Sequence, residues 1–340
     1  MSLHFDISSM IESRARKQDP MRSVKSKVVV FALTSQGNDI YTAMTRVAVA
    51  SLRMSNPGFV LLVACDRETD RVMKQSRNPL INEVDEWLVV ETPPGDAGFR
   101  NRFVKTNLRI LIQGPFLFLD SDVFVRGDLS EIFSLDTDIA GARNHSRVPF
   151  SEQVWDEDAA TLQAMGWKVD NVVYINGGVM FYNDTPGARL FGAEFHRRWM
   201  ASFLERKNYR DQPALNSALH DTKPKLVVLE DRFNAQIKRN ISVVRAANIW
   251  HYYSSVGDTP HTSFELLVNE LVQGARLDEK IIARILKSKH PWRNNTKVDN
   301  WAADRIMQRG QFDGWEAAWL RREFKPYILR KVHKALNRMK

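Results

Sequence analysis

Short apolar runs at residues 27–34, 59–66 and 86–90 alternate with segments whose apolar residues recur at helical spacing, and this alternation constrains the fold more than any other property of the chain. Val28, Val29, Val30 and Phe31 make the first run continuously apolar and largely β-branched, the pattern of a strand buried on both faces. Loop-forming residues from Ser35 to Asp39 follow, and Met44, Val47, Ala48 and Leu52 then share one face of a helix expected over 41–54. Further on, the pattern predicts helices over 67–76, 103–113 and 186–207, and strands over 136–142, 172–182, 226–229 and 249–253. A helix opens at Asp211, suited to an N-cap, with Pro213 in its first turn, and the chain beyond Pro260 is helical in character. The expected fold is therefore α/β, a mostly parallel sheet flanked by helices, with ligands bound beyond the carboxyl ends of the strands.

The 340 residues, 44% hydrophobic and 26% charged, suffice for one large α/β domain with an appendage. The expected division is a leader at 1–23, an α/β domain at 24–256 and a helical region at 257–340. No apolar run approaches the ~18–20 residues of a spanning helix, and the polar start has no stretch of signal-peptide type, so a cytoplasmic location is expected. Cys65 is the only cysteine, which excludes an intramolecular disulfide.

Of the net charge of +9, residues 319–340 carry eight Lys or Arg against Glu323 alone. Ile328, Val332, Ala335, Leu336 and Met339 there line one side of a helix and Arg330, Lys331, Lys334 and Arg338 the other. Residues 327–340 so patterned suit the inner, anionic face of a membrane, or equally a solvated cap on the domain. Basic residues at one end, not interleaved with aromatics along a groove, speak against nucleic acid as a partner.

Residues 114–125 form an apolar run broken by Asp120 and Asp122. Read as one extended strand, it points both carboxylates to the same face, with Ser121 between, a geometry for gripping one cation. Read plainly, it is a strand ending in an Asp-rich turn. Gly177 and Gly178 interrupt the strand at 172–182, marking either close approach of a ligand or a β-turn between two strands.

Several patches stand in an order that resembles the retaining GT-A glycosyltransferases of the glycogenin and bacterial lipopolysaccharide galactosyltransferase type. Thr34, Ser35, Asn38, Asp39 and Tyr41 are similar to that family's first-strand loop, and Lys105 to a lysine on the helix before its metal strand. Asp120-Ser121-Asp122 matches its Asp-x-Asp signature, and Asn176-Gly177-Gly178-Val179 its element contacting the donor sugar. Asp211-Gln212 with Leu215-Asn216 resembles its Asp-Gln-x-x-Leu-Asn element; Leu229 with Phe233-Asn234 is similar to a later patch in which Glu230 here replaces a proline.

The resemblance covers roughly residues 28–254 and implies a Rossmann-like nucleotide-diphospho-sugar transferase fold with a helical C-terminal extension. It further implies an enzyme that transfers a hexose from a UDP-sugar to a glycan, lipid-linked or protein acceptor with retention of configuration. Mn2+ or Mg2+ would be held by Asp120, Asp122 and His251. Donor contacts would come from Thr34, Asn38, Asp39, Tyr41, Lys105, Ser121, Asn176, Gly177 and Gly178, with Tyr41 on the uracil, and Asp211 and Gln212 would stand at the reacting sugar. Without the resemblance, Tyr41 reads as a core residue of its helix and His251 as a structural histidine.

The chain departs from the family after His251, where residues 254–260 lack the lysine that holds the diphosphate. Lys105, Arg109, Lys289 and Arg293 are the cations available to replace it. Two other readings are a non-catalytic protein binding a sugar nucleotide or another polyanion, and a nucleotidyltransferase; the latter calls for a glycine-rich phosphate loop, and residues 35–39 contain one glycine.

Overall fold

Seven strands in the order β3-β2-β1-β4-β7-β6-β8 make the main sheet: β1 (Val28–Leu33), β2 (Val60–Asp66), β3 (Glu86–Val90), β4 (Phe116–Leu119), β6 (Ile139–Arg143), β7 (Ile175–Tyr182) and β8 (Leu226–Leu229). The structure, a computed structural model, describes residues 27–145, 149–237, 243–252, 262–288 and 291. The leader at 1–23, the segment 253–261 after His251, Lys289, Arg293 and the basic tail lie outside them.

Strands β1, β2, β3 and β4 run parallel, and β6 is parallel to β8; β7 alone is reversed, pairing antiparallel with β4 and β6. Period-two alternation sorts the side chains of the central strands onto two faces. Val29, Phe31, Leu117 and Leu119 pack in one apolar cluster with Ala48, Val49 and Leu52 of α1 (Ile40–Ser55). Val28, Val30, Phe116 and Phe118 join the opposite cluster. That cluster is completed by Val104 and Leu108 of α4 (Ala97–Leu111), Phe191 and Trp199 of α7 (Pro186–Arg206), and Leu215 of α8 (Gln212–Thr222). Helix α4 starts six residues earlier than its apolar spacing predicts because Asp96 accepts a hydrogen bond from Phe99 N and caps it there. The smaller helices are α2 (Arg67–Gln75), α3 (Leu80–Glu83), α5 (Phe150–Gln153) and α6 (Asp156–Ala164), the last two lying between β6 and β7.

The run at 114–125 is not one strand. It divides into β4 in the main sheet and β5 (Val123–Val125) in a second, three-stranded sheet ordered β5-β10-β9, where β9 is Ala235–Gln236 and β10 is Ile249–His251. Asp120, Ser121 and Asp122 form the turn between the sheets. The physical reason is competition for partners: β4 is satisfied by β1 and β7 as far as Leu119, whereas Val123, Phe124 and Val125 pair with His251, Trp250 and Ile249. By contrast, β7 runs unbroken through Gly177 and Gly178, and the irregularity lies opposite, in β6 between Gly141 and Arg143.

Two further helices, α9 (Ser263–Val272) and α10 (Glu279–Leu286), pack with Phe124, Trp250 and Tyr252 against Ala43, Met44 and Val47 of α1 in a third apolar cluster. Helix α9 opens with a reciprocal cap in which Thr262 and Glu265 each accept from the other's backbone N–H. No helix of the described residues is long and apolar enough to cross a membrane.

Candidate active site

The two carboxylates converge without the extended geometry expected of them. Asp120 N donates to Gly178 O at 2.8 Å, continuing the β4–β7 ladder one residue beyond the strand, and Tyr252 N donates to Asp122 O at 2.8 Å on the other side of the turn. Because β10 runs antiparallel to β5 with His251 opposite Val123, the imidazole arrives beside Asp122, with Nε2 3.3 Å from Asp122 Oδ1. One donor atom from each of Asp120, Asp122 and His251 falls within 4.8 Å of the others. The set lies at the carboxyl end of a central strand, where a sheet of this kind leaves its ligand crevice. Two carboxylate oxygens and one imidazole nitrogen suit a hard or borderline divalent cation, so the residues fit Mn2+ or Mg2+.

Gly178 is the packing condition for this arrangement. A Cβ there would overlap His251 Cε1 and approach Asn176 Oδ1 and Asp120 Oδ2 to 3.0 Å. At Gly177 a Cβ would meet Lys105, Asp211 and Leu215 only at 3.7 to 3.9 Å, ordinary contact. Of the pair, Gly178 is the one that close approach requires.

Next to the carboxylates lies a buried ion cluster. Lys105 Nζ is 2.9 Å from Asp120 Oδ1 and 2.9 Å from Asp211 Oδ2, with 7% of its side chain exposed. Burial alone would raise the Asp211 pKa, but Lys105 and then Arg102 outweigh it and hold the carboxyl at about 2. Asp211 occupies the cap position of α8 without accepting a capping hydrogen bond; its carboxylate is spent on Lys105 instead. Burial likewise opposes the charge on Arg102, yet Asp211, Asp120 and Asp122 raise its pKa. Arg102 donates to Tyr209 O and Asn101 Oδ1, and no carboxylate among the described residues pairs with it. It sits one helical turn before Lys105, a spacing that could have revealed it in the sequence.

Arg109 is not part of this cluster. Its guanidinium, 1% exposed, donates to the carbonyls of Gly114, Asn183 and Ile112, so it ties the end of α4 to the sheet and is removed from the candidates for a phosphate clamp.

Asn176 and Gln212 meet directly, Asn176 Nδ2 donating to Gln212 Oε1 at 3.0 Å. Asn216 fixes the register between their elements by bonding both Ile175 N and Ile175 O, at 2.6 and 2.9 Å. Asn144, missed in the sequence, accepts from Asn176 Nδ2 at 3.1 Å.

The first-strand loop divides. Thr45 Oγ1 donates to Tyr41 O at 2.8 Å and is hydrogen-bonded to Ser121 Oγ at 2.9 Å, so Tyr41 stands one turn of α1 from the residue that touches the carboxylate turn. Tyr41 is 57% exposed and therefore no core residue. Thr34 is buried, its Oγ1 without a hydrogen-bond partner among the described residues. Asp39 spends both carboxylate oxygens on Thr42 N and Gln36 N as the cap of α1. Asn38 donates to Val272 O and faces a separate cleft of about 700 Å³, lined also by Arg46, Arg53 and Arg276 and by none of the carboxylate-turn residues. The structure thus brings Tyr41, Lys105, Ser121, Asn176, Gly177, Gly178, Asp211 and Gln212 around the Asp120–Asp122–His251 set, while Asn38 donates to Val272 O and Asp39 caps α1.

No protein-family model and no curated protein matches the sequence. Solved structures do match the fold. The galactosyltransferase LgtC, in a structure holding donor and acceptor sugar analogues, superposes with a TM-score of 0.51 at 18% identity over 74% of this chain and 98% of LgtC. An active-site mutant of LgtC gives 0.52 at 17% identity over the same shares. The bifunctional glycosyltransferase WbbM in its apo form gives 0.52 at 13% identity over 78% of this chain, which spans about half, 53%, of WbbM. At these identities the likeness establishes the fold, a GT-A arrangement of mixed, mostly parallel sheet and flanking helices.

Proposed function

We propose, on the premise of this GT-A fold, that the chain is a metal-dependent glycosyltransferase moving a hexose from a UDP-sugar to an acceptor with retention of configuration. One observation carries the reading: Asp120, Asp122 and His251 bring three ligand atoms within 4.8 Å at the carboxyl end of β4, beside the Lys105–Asp211 pair. Mn2+ or Mg2+ held by these residues would offset the charge that collects on a departing diphosphate. Arg102, a cation pairing with no carboxylate among the described residues, offers a second positive charge to the diphosphate where the expected lysine is missing. Tyr41, exposed one turn of α1 from Thr45, which touches Ser121, offers a face for the uracil.

At the reacting sugar, Asp211 remains ionised at any physiological pH and can stabilise positive charge on the anomeric carbon. Lys105 holds it in place, and Asn176 holds Gln212 beside it. The acceptor is a glycan, a lipid-linked glycan or a protein, and the basic residues 327–340 make the anionic inner face of a membrane a candidate surface for a cytoplasmic enzyme.

The test is a panel of UDP-sugars with Mn2+, reading UDP release. Release by the wild-type chain and its loss in Asp122→Ala with an unchanged circular dichroism spectrum is the expected result. Turnover retained in Asp122→Ala refutes the metal site; donor binding without release by the wild type would make the chain a sugar-nucleotide-binding protein.

A further inference from the structure

Asn234 is fully buried, with His251 hydrogen-bonded to one end of its amide and Asn176 to the other. Asn234 Nδ2 lies 2.9 Å from Asn176 Oδ1, and Asn234 Oδ1 lies 2.8 Å from His251 Nδ1. The direction of this chain follows from backbone groups, whose roles are fixed. Gly178 N can only donate, and at 3.0 Å it meets the Asn176 side-chain atom that must therefore be the oxygen. The Asn234 atom facing that oxygen must then be its NH2, which leaves the Asn234 carbonyl facing His251, so His251 Nδ1 carries a proton, and in the neutral imidazole Nε2 is left with the lone pair.

The other end agrees independently. The Asn176 NH2 faces Asn144 Oδ1 and Gln212 Oε1, and Asn144 in turn donates through Nδ2 to Gln153 O, a backbone carbonyl that can only accept. Two fixed backbone groups, Gly178 N–H and Gln153 C=O, thus impose the same polarity on one run of side chains. Its two outlets face the candidate active site: the Nε2 lone pair of His251, 3.3 Å from Asp122 Oδ1, and the NH2 of Gln212, whose carbonyl is occupied by Asn176.

We infer that Asn234 is a positioning residue that fixes the Nδ1–H tautomer of His251, so that Nε2 presents its lone pair to a cation, and links this choice through Asn176 to the amide orientation of Gln212. The metal-ligand part rests on the proposed glycosyltransferase reading; the tautomer part does not. Removing the partner that orients a ligating histidine costs metal affinity about 10–100-fold.

Nitrogen-15 NMR of the imidazoles, recorded at about pH 9, well above the ordinary imidazole range, tests the tautomer directly in the metal-free full-length chain, with His251→Gln assigning the His251 signal among the eight histidines. Wild type should show Nδ1–H, and Asn234→Ala should shift the population towards Nε2–H. Asn234→Asp serves as the second variant, because an aspartate oxygen can still accept from Nδ1 but cannot donate to Asn176 Oδ1. It should keep the Nδ1–H tautomer. Titration with MnCl2 is the second arm: Asn234→Ala should weaken Mn2+ binding about 10-fold or more, and Asn234→Asp by no more than about 3-fold. An Nε2–H tautomer in the wild type, or Nδ1–H unchanged in Asn234→Ala, overturns the inference. If the tautomers behave as expected but wild type binds no Mn2+, the metal reading falls and the positioning by Asn234 stands.

Discussion

Replacing Asp211 by Asn keeps the shape of the side chain and removes its charge from a pocket built around that charge. In the folded chain the carboxyl is held at about 2 against an ordinary 3.8, burial being outweighed by Lys105 and Arg102. A tenfold change in proton affinity is worth about 1.4 kcal/mol, so the charged form contributes about 2 kcal/mol to stability at neutral pH. Because the folded value lies below the unfolded one, this contribution is fully present above pH 3.8 and is lost as the pH falls through 2. Integrating over the two values leaves about 1 kcal/mol at pH 3.

Urea denaturation of wild type and Asp211→Asn at pH 7 and pH 3 reads these differences, since other titrating groups are common to both proteins. The expected loss is about 2 kcal/mol at pH 7, shrinking by about half at pH 3. A difference below about 0.5 kcal/mol at pH 7, or one that fails to shrink, would refute the account of Asp211 as the charge partner of Lys105 and Arg102. In the enzymatic assay the same variant should keep donor binding and lose nearly all turnover; loss of binding alone would displace Asp211 from the reacting centre.

The paired glycines should respond unequally: Gly178→Ala, forced against His251 and Asp120, should cost about 1–3 kcal/mol and weaken Mn2+ binding, whereas Gly177→Ala has room. Equal denaturation midpoints for the two variants would contradict the packing described for Gly178. His196, buried against Phe103 and bonded to Thr106 Oγ1, is pushed down by burial from 6.5 to about 4. Between those values the unfolded chain binds the proton and the folded chain does not, so stability should fall by about 3 kcal/mol as the pH drops from 6.5 to 4. Stability curves of wild type and His196→Asn over that range check this, the variant losing that much of the slope.

Much of the architecture was legible because it rests on periodicity. Both faces of β1 are apolar, so Val28 to Leu33 reads as a buried strand, and the 3.6-residue recurrence in α1 reads as a helix. What failed was the run at 114–125, since Phe116 to Leu119 and Val123 to Val125 are equally apolar and β-prone, and only their partners differ. Caps also escaped: Asp39, Asp96 and Asp211 are all acids before helices, yet the first two cap and the third binds a lysine. Arg109 and Lys105 lie one turn apart on α4, and nothing in their spacing tells that one closes the end of its helix while the other reaches the carboxylates.

By itself the sequence determined the residue types and their order: two carboxylates after a central strand, a histidine far along the chain, an Asn-Gly-Gly strand and an Asp-Gln helix start. Local pattern suffices for these because alternation and helical spacing are properties of neighbours. Tertiary structure alone decided that His251 meets Asp122, that Lys105 bridges Asp120 and Asp211, and that Asn234 stands between His251 and Asn176. The reason is that side-chain hydrogen bonds and ion pairs join atoms separated by tens of residues, and burial makes each one obligatory only after the sheets have closed around them.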